Sequence, residues 1–268
     1  VEGAVAMKRR RVCAALLLPL WAASVSAQPT LSPVPGRTYA PGPFDSLNFN
    51  GAATVRFFQG DRDEVFVEGP TDAQDSVEIS LKGTRLTVGT AGSWMFWRTP
   101  QQRLRLIVVA RDLRELTLSG ATDFQAPEPV LLQQLSIDVS GSANTQFDKI
   151  STESLVFKVA GAGSGRFTGR APSLLVDISG RGDFEGHDLN TQQAKVRITG
   201  LGKAKLWVHQ SLDARISGIG TVDFFGSPTL KKRTAGAGRF NERGARTGPP
   251  PWSPFPGALP PVPLVPAP

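Results

Sequence analysis

Three arginines at a regular spacing are the first residues in this chain that could do chemistry. Arg197, Arg215 and Arg233 each stand three positions before a glycine, at Gly200, Gly218 and Gly236. The same position in earlier phrases holds Thr117, Asp138, Lys158 and Asp177, and Lys195 and Lys231 occupy the next outward position. If successive phrases stack as strands, these neighbours stand about 4.8 Å apart. Asp138, Lys158, Asp177 and Arg197 then form an alternating ion ladder. Three arginines in a row repel unless an anion lies between them, so the strip is a candidate contact for an acidic glycan or a lipopolysaccharide phosphate. The bland alternative is a solvated face whose long side chains splay apart.

Other residue groups carry weaker chemistry. Trp94, Phe96 and Trp97 form the densest aromatic cluster, bracketed by Gly92 and Pro100 as an inter-strand loop would be. Exposed, they would suit a sugar face, a protein partner or a membrane surface; covered, they would be a lid on the core. Arg181-Gly182-Asp183 spells an integrin-type tripeptide, but Gly182 is also a repeat glycine and Asp183 precedes an apolar position, so coincidence explains it. Asp183, Glu185, His187 and Asp188 are the tight acidic and histidine cluster, and paired carboxylates can hydrolyse glycosidic bonds. Asp183 and Glu185 flank Phe184, which leaves both in water without a cleft. A calcium ladder fails because its column would include Lys203 and Arg239, and one Cys with two His makes a zinc site implausible. The Gly-x-Gly turns open no helix and form no phosphate loop. The residues assign no catalytic, cofactor-binding or metal-binding role, and the chain reads as a non-enzyme.

The elements that position these residues come from a repeat. Gly120, Gly141, Gly161, Gly180, Gly200, Gly218 and Gly236 recur every 18–21 residues. Of the 21 positions two, four and six residues before them, 18 are apolar, while the interleaved positions are mostly polar. Alternation at period 2 is a strand with one face buried. An apolar position returns after each glycine: Phe124, Phe147, Phe167, Phe184, Leu206, Phe224 and Phe240. One such coil cannot bury its own face, but stacked coils can. The fold class is all-β, a β-solenoid of two or three short strands per coil. The Gly-x-Gly corners predict positive φ. Leu47, Phe49, Val55 and Phe57 fit the same register around Gly51, with alternating strands between there and Gly120. Lys231, Lys232 and Arg233 predict a charged terminal coil that blunts an open edge.

The flanks differ from the repeat. Met7, Lys8 to Arg11, the apolar run Val12–Leu20 and Val25-Ser26-Ala27 predict a signal peptide over residues 1–27, with 1–6 upstream of the true start. Cys13 would leave with it. Residues 28–43 read as a linker, 44–243 as the solenoid, and 244–268 as a Pro-rich disordered tail. From Gln28 onward the chain has 26 basic and 22 acidic residues, a net +4, so the overall charge of +7 overstates any case for nucleic acid. An exported chain follows, periplasmic or at the outer surface, with an envelope polysaccharide or an envelope protein as partner.

The opening FDSLNFNGAATVRFFQGDRDEVFVEG, then LRELTLSGATDF and the serial VSGSA, ISGRG and ITGLG phrases, resembles the bacterial putative auto-transporter adhesin, head GIN domain family over residues 44–241. The resemblance implies a single-stranded right-handed parallel β-helix, an adhesin or cell-surface role and no catalytic motif. One departure is plain. An autotransporter carries a C-terminal outer-membrane barrel of tilted strands, whereas prolines follow the solenoid here.

Overall fold

A computed structural model describes residues 36–69, 71–90 and 104–246. The predicted signal segment, the Trp94–Trp97 loop and the proline tail from residue 247 lie outside the described residues. Strands β1 (Gly36–Tyr39), β2 (Ser46–Asn50), β3 (Ala52–Gln59) and β4 (Glu64–Glu68) are followed by a single helical turn, α1 (Thr71–Asp75). Then come β5 (Val77–Lys82), β6 (Arg85–Thr90), β7 (Leu104–Ala110) and β8 (Glu115–Leu118). The repeat proper is β9 (Ala121–Val139), β10 (Ser142–Val159), β11 (Ala162–Arg170), β12 (Ser173–Ile178), β13 (Arg181–Ile198) and β14 (Leu201–Ile216). It ends with β15 (Ile219–Phe225), β16 (Thr229–Thr234) and β17 (Ala237–Glu242).

These strands stack as parallel coils into a β-solenoid of about six turns. The inward positions keep register from coil to coil: Leu135, Leu155, Leu174, Ala194, Leu212 and Leu230 form one column. Four coils do not break into short strands. Each runs as one strand of 16–19 residues, bent where the register shifts near its middle.

The N-terminal end departs from a simple spiral. β2 lies between β6 and β8, and β3 between β7 and β9, so a coil later in the chain stacks outside an earlier one. Antiparallel strands then close that end: β5 on β6, β4 on β7 and β1 on β4. Alternation marked these segments as strands, but it carries no information about direction.

The corner glycines serve a different purpose from the one the sequence suggests. None of Gly120, Gly141, Gly161, Gly180, Gly200, Gly218 and Gly236, nor the second glycine of any Gly-x-Gly corner, has a positive φ, which is found instead at Gly169 and Gly226 within the repeat. A Cβ on Gly141 would overlap the carbonyl oxygen of Gly120, and one on Gly161 that of Gly141. Stacked corners approach backbone to backbone, and steric room rather than backbone freedom demands glycine there.

Inside, Phe57, Phe124, Phe147, Phe167 and Phe184 stack in sequence with ring centroids 5.4–6.1 Å apart, and Phe157 joins from the facing wall. Four of these rings have a small inward neighbour two residues away. Phe124 is followed by Ala126 and Phe184 by Gly186; Phe147 is preceded by Thr145 and Phe167 by Gly165. A Cβ at Gly165 would come within 2.6 Å of Phe167 and 2.8 Å of Phe157, so the ring needs that glycine.

At the C-terminal end the inward columns change character. Val176, Val196 and Ala214 are followed in register by Lys232, and Leu206 and Phe224 by Glu242. Both are exposed, and each places a charge where another coil would need an apolar side chain.

Candidate functional site

The arginine column forms as the spacing requires. Thr117, Asp138, Lys158, Asp177, Arg197, Arg215 and Arg233 are successive register partners. Within the alternating part, Lys158 and Asp138 close to 3.6 Å, whereas Asp177 and Arg197 share register without an ion pair among the described residues. Arg197 and Arg233 are exposed and make no ion pair or side-chain hydrogen bond among the described residues. Arg215 is half-buried and donates from Nε and Nη2 to the two carboxylate oxygens of Asp213, both at 3.3 Å. Asp213 is the residue sequence reasoning missed. It lies between Lys195 and Lys231 in the adjacent outward column, and its place two residues before Arg215 on an alternating strand is the signal that could have found it.

Charge is unevenly spread along the solenoid. Gly36 to Gly180 carries 14 basic and 16 acidic residues, while Arg181 to Arg246 carries 12 basic and 6 acidic. Arg181, Lys203 and Arg239 join Arg197 and Arg233 in having no ion pair among the described residues. Two grooves run along this cationic part. One of about 590 Å³ is lined by Lys195, Asp213 and Lys231. Another of about 620 Å³ lies past the glycine corner, with Arg181, Leu201 and Ile219 on one wall and Asp183, Lys203 and Arg239 on the other.

The carboxylate cluster is committed elsewhere. Glu185 accepts from Arg166 at 2.6 Å and from Lys205 at 3.5 Å. Partial burial pushes its carboxyl up, but the two cations outweigh that and hold it below the ordinary range. A general acid needs the opposite shift. His187 Nε2 lies 3.2 Å from Asp188, and Asp188 also accepts from Arg246. Arg246 donates from Nε to the His187 carbonyl at 3.1 Å and lies 5.0 Å over the Trp207 ring. Trp207 in turn packs on His209, whose pKa burial lowers. This set of contacts fastens the chain after the last coil back onto earlier ones.

Arg181-Gly182-Asp183 opens β13, with Gly182 in register with Gly163 and Gly202, so the tripeptide lies flat in a ladder rather than at a turn. Trp94, Phe96 and Trp97 fall outside the described residues. Among the described residues no three His, Cys, Asp or Glu side chains gather as a metal site, and no helix is long and apolar enough to cross a membrane.

The family model described as "Putative auto-transporter adhesin, head GIN domain" matches residues 43–228. Among curated proteins none matches the sequence. Solved structures share the fold at low identity. A putative adhesin from Bacteroides fragilis superposes with a TM-score of 0.70 at 18% identity, covering 77% of this chain and 95% of that one. A putative adhesin from Parabacteroides merdae gives 0.60 at 17% identity, over 78% and 95%. A protein from Parabacteroides distasonis described as a putative lipid binding protein gives 0.56 at 19%, over 78% and 96%. With the family match spanning well over half its length, this chain belongs to the putative auto-transporter adhesin, head GIN domain family.

Proposed function

We propose that this chain is an exported, non-catalytic binding module of the bacterial envelope, and that its last coils hold an acidic glycan along Arg197, Arg215 and Arg233. One observation carries the reading: three arginines on successive rungs, two of them without a partner among the described residues. Rungs about 4.8 Å apart present cations at a repeat that a linear polyanion can span, and many weak contacts then add along one chain. The flanking groove with Lys195 and Lys231 widens the same face. The family description and the adhesin-like structural neighbours favour a surface or exported role.

The test is binding of the purified protein to arrayed acidic and neutral bacterial glycans at two salt concentrations. Acidic glycans are expected to bind in a salt-sensitive manner, and replacing Arg197, Arg215 and Arg233 together with Ser should lower that binding at least tenfold. Unchanged binding by the triple variant would discard the column. A protein pulled down from envelope extract in place of any glycan would make the module a scaffold.

A further inference from the structure

The corner between the two cationic faces is apolar, and a polyanion gives no account of that. Leu201 is 42% exposed and Ile219 is 60% exposed, on adjacent rungs immediately after Gly200 and Gly218. The same outward column holds Ala52, Ala121, Ser142 and Ala162 in earlier coils, then Arg181. Large aliphatic side chains enter it only where the surface turns basic. Arg197 and Arg215 stand four residues before them on one face, and Lys203 stands two residues after Leu201 on the other, with Arg239 two rungs beyond Lys203. At roughly 3.3 Å of strand per residue, Lys203 lies within a side chain's length of a plane that touches the crest, and Arg181 stands in the crest's own column.

We propose that this corner docks edge-on to an anionic lipid bilayer, with Leu201 and Ile219 entering the acyl boundary and Arg181, Lys203 and Arg239 meeting headgroup phosphates. An apolar crest with cations on both sides has the layered chemistry of a membrane interface, where apolar burial and attraction to acidic lipids act together. A soluble polyanion would leave both aliphatic side chains in water. A second copy of the same face would set like charges against each other, because this part carries 12 basic and 6 acidic residues. Asp183, in register with Lys203, is the carboxylate in the groove and places the acidic-lipid contact toward Arg239. The inference goes beyond glycan binding and can fail without it.

Co-sedimentation with vesicles tests it, using phosphatidylcholine alone and phosphatidylcholine with about a third phosphatidylglycerol. The expected result is binding to the acidic vesicles and little to the neutral ones. L201S/I219S, which keeps every charge, should weaken that binding at least tenfold. K203S/R239S should weaken it too and flatten its salt dependence. Both variants alter outward positions, so an unchanged circular dichroism melt shows that the fold survives. Equal binding by L201S/I219S, equal binding to neutral vesicles or no vesicle binding would each overturn the inference. Soluble polygalacturonate separates the two readings. Retention of that polymer without vesicle binding sinks the membrane edge alone, and the converse sinks the glycan column alone.

Discussion

The coils up to Gly180 and the coils after it share one backbone plan, yet they hold their cations differently. In the first region Arg37, Arg85, Arg114, Lys158 and Arg166 each reach a carboxylate. In the second, Lys205, Arg215, Arg243 and Arg246 do so as well, but Arg181, Arg197, Lys203, Arg233 and Arg239 reach none among the described residues. The interiors differ too. The earlier coils are filled by stacked phenylalanines, whereas the last coil has Lys232 and Glu242 at inward positions. Exposed ion pairs contribute little to stability, so the paired cations do not explain why the first region folds. The contrast teaches that apolar packing sets the scaffold in both regions, while unpaired charge on the surface of the second leaves that surface available for contact.

Three measurements would break or sharpen this contrast. The largest effect belongs to the corners. Gly161→Ala should cost about 3 kcal/mol or more in urea unfolding, since its Cβ would overlap the Gly141 carbonyl between coils packed on both sides. Gly236→Ala meets the Gly218 carbonyl in the same way, but its coil is stacked on one side only and can fray, so about 1 kcal/mol is expected. Equal costs would mean that the solenoid melts as one unit and that its end is no softer than its middle.

The rings come next. Phe167→Ala removes a fully buried ring that touches Phe147, Phe157 and Phe184, and about 3–5 kcal/mol should be lost. Phe240→Ala in the last coil, where the ring is only partly buried, should cost about 1 kcal/mol or less by the same assay. Similar losses would put the energetic core at the basic end as well.

The smallest effect is on charge. Asp213→Asn removes the carboxylate that holds Arg215, so affinity for polygalacturonate should rise about two- to fivefold, with stability changed by no more than about 0.5 kcal/mol. A fall in affinity would show that the Asp213 contact orients Arg215 for binding.

The sequence carried the parts of this molecule that depend on period. The inward columns, the coil length and the Arg197–Arg215–Arg233 alignment all follow from alternation and a recurring glycine. Strand direction at Val65, Val77 and Leu104 did not, because a side chain alternates in the same way in parallel and antiparallel ladders. The reason for the corner glycines was misread for a related cause. Positive φ is a property of one residue, but the overlap that excludes a Cβ at Gly141 arises only once Gly120 is stacked beside it. Asp213 was not legible from the arginine column, because it belongs to the adjacent column and meets Arg215 only along the strand. The exposure of Leu201 and Ile219 was hidden until the corner was built, since each follows a glycine that could have turned it either way.

Lys232 and Glu242 bear on how such a chain could change over generations. A stack of near-identical coils is an open series, and duplicating an internal unit such as β13 would add a rung without new chemistry, because its inward residues already match the coils on either side. The last unit is the exception. Copied upward, it would bury an amine and a carboxylate among Val196, Ala214, Leu206 and Phe224. Lengthening is therefore permitted within the column and refused at its end, which makes the number of coils an inherited quantity that can grow while the terminus stays fixed.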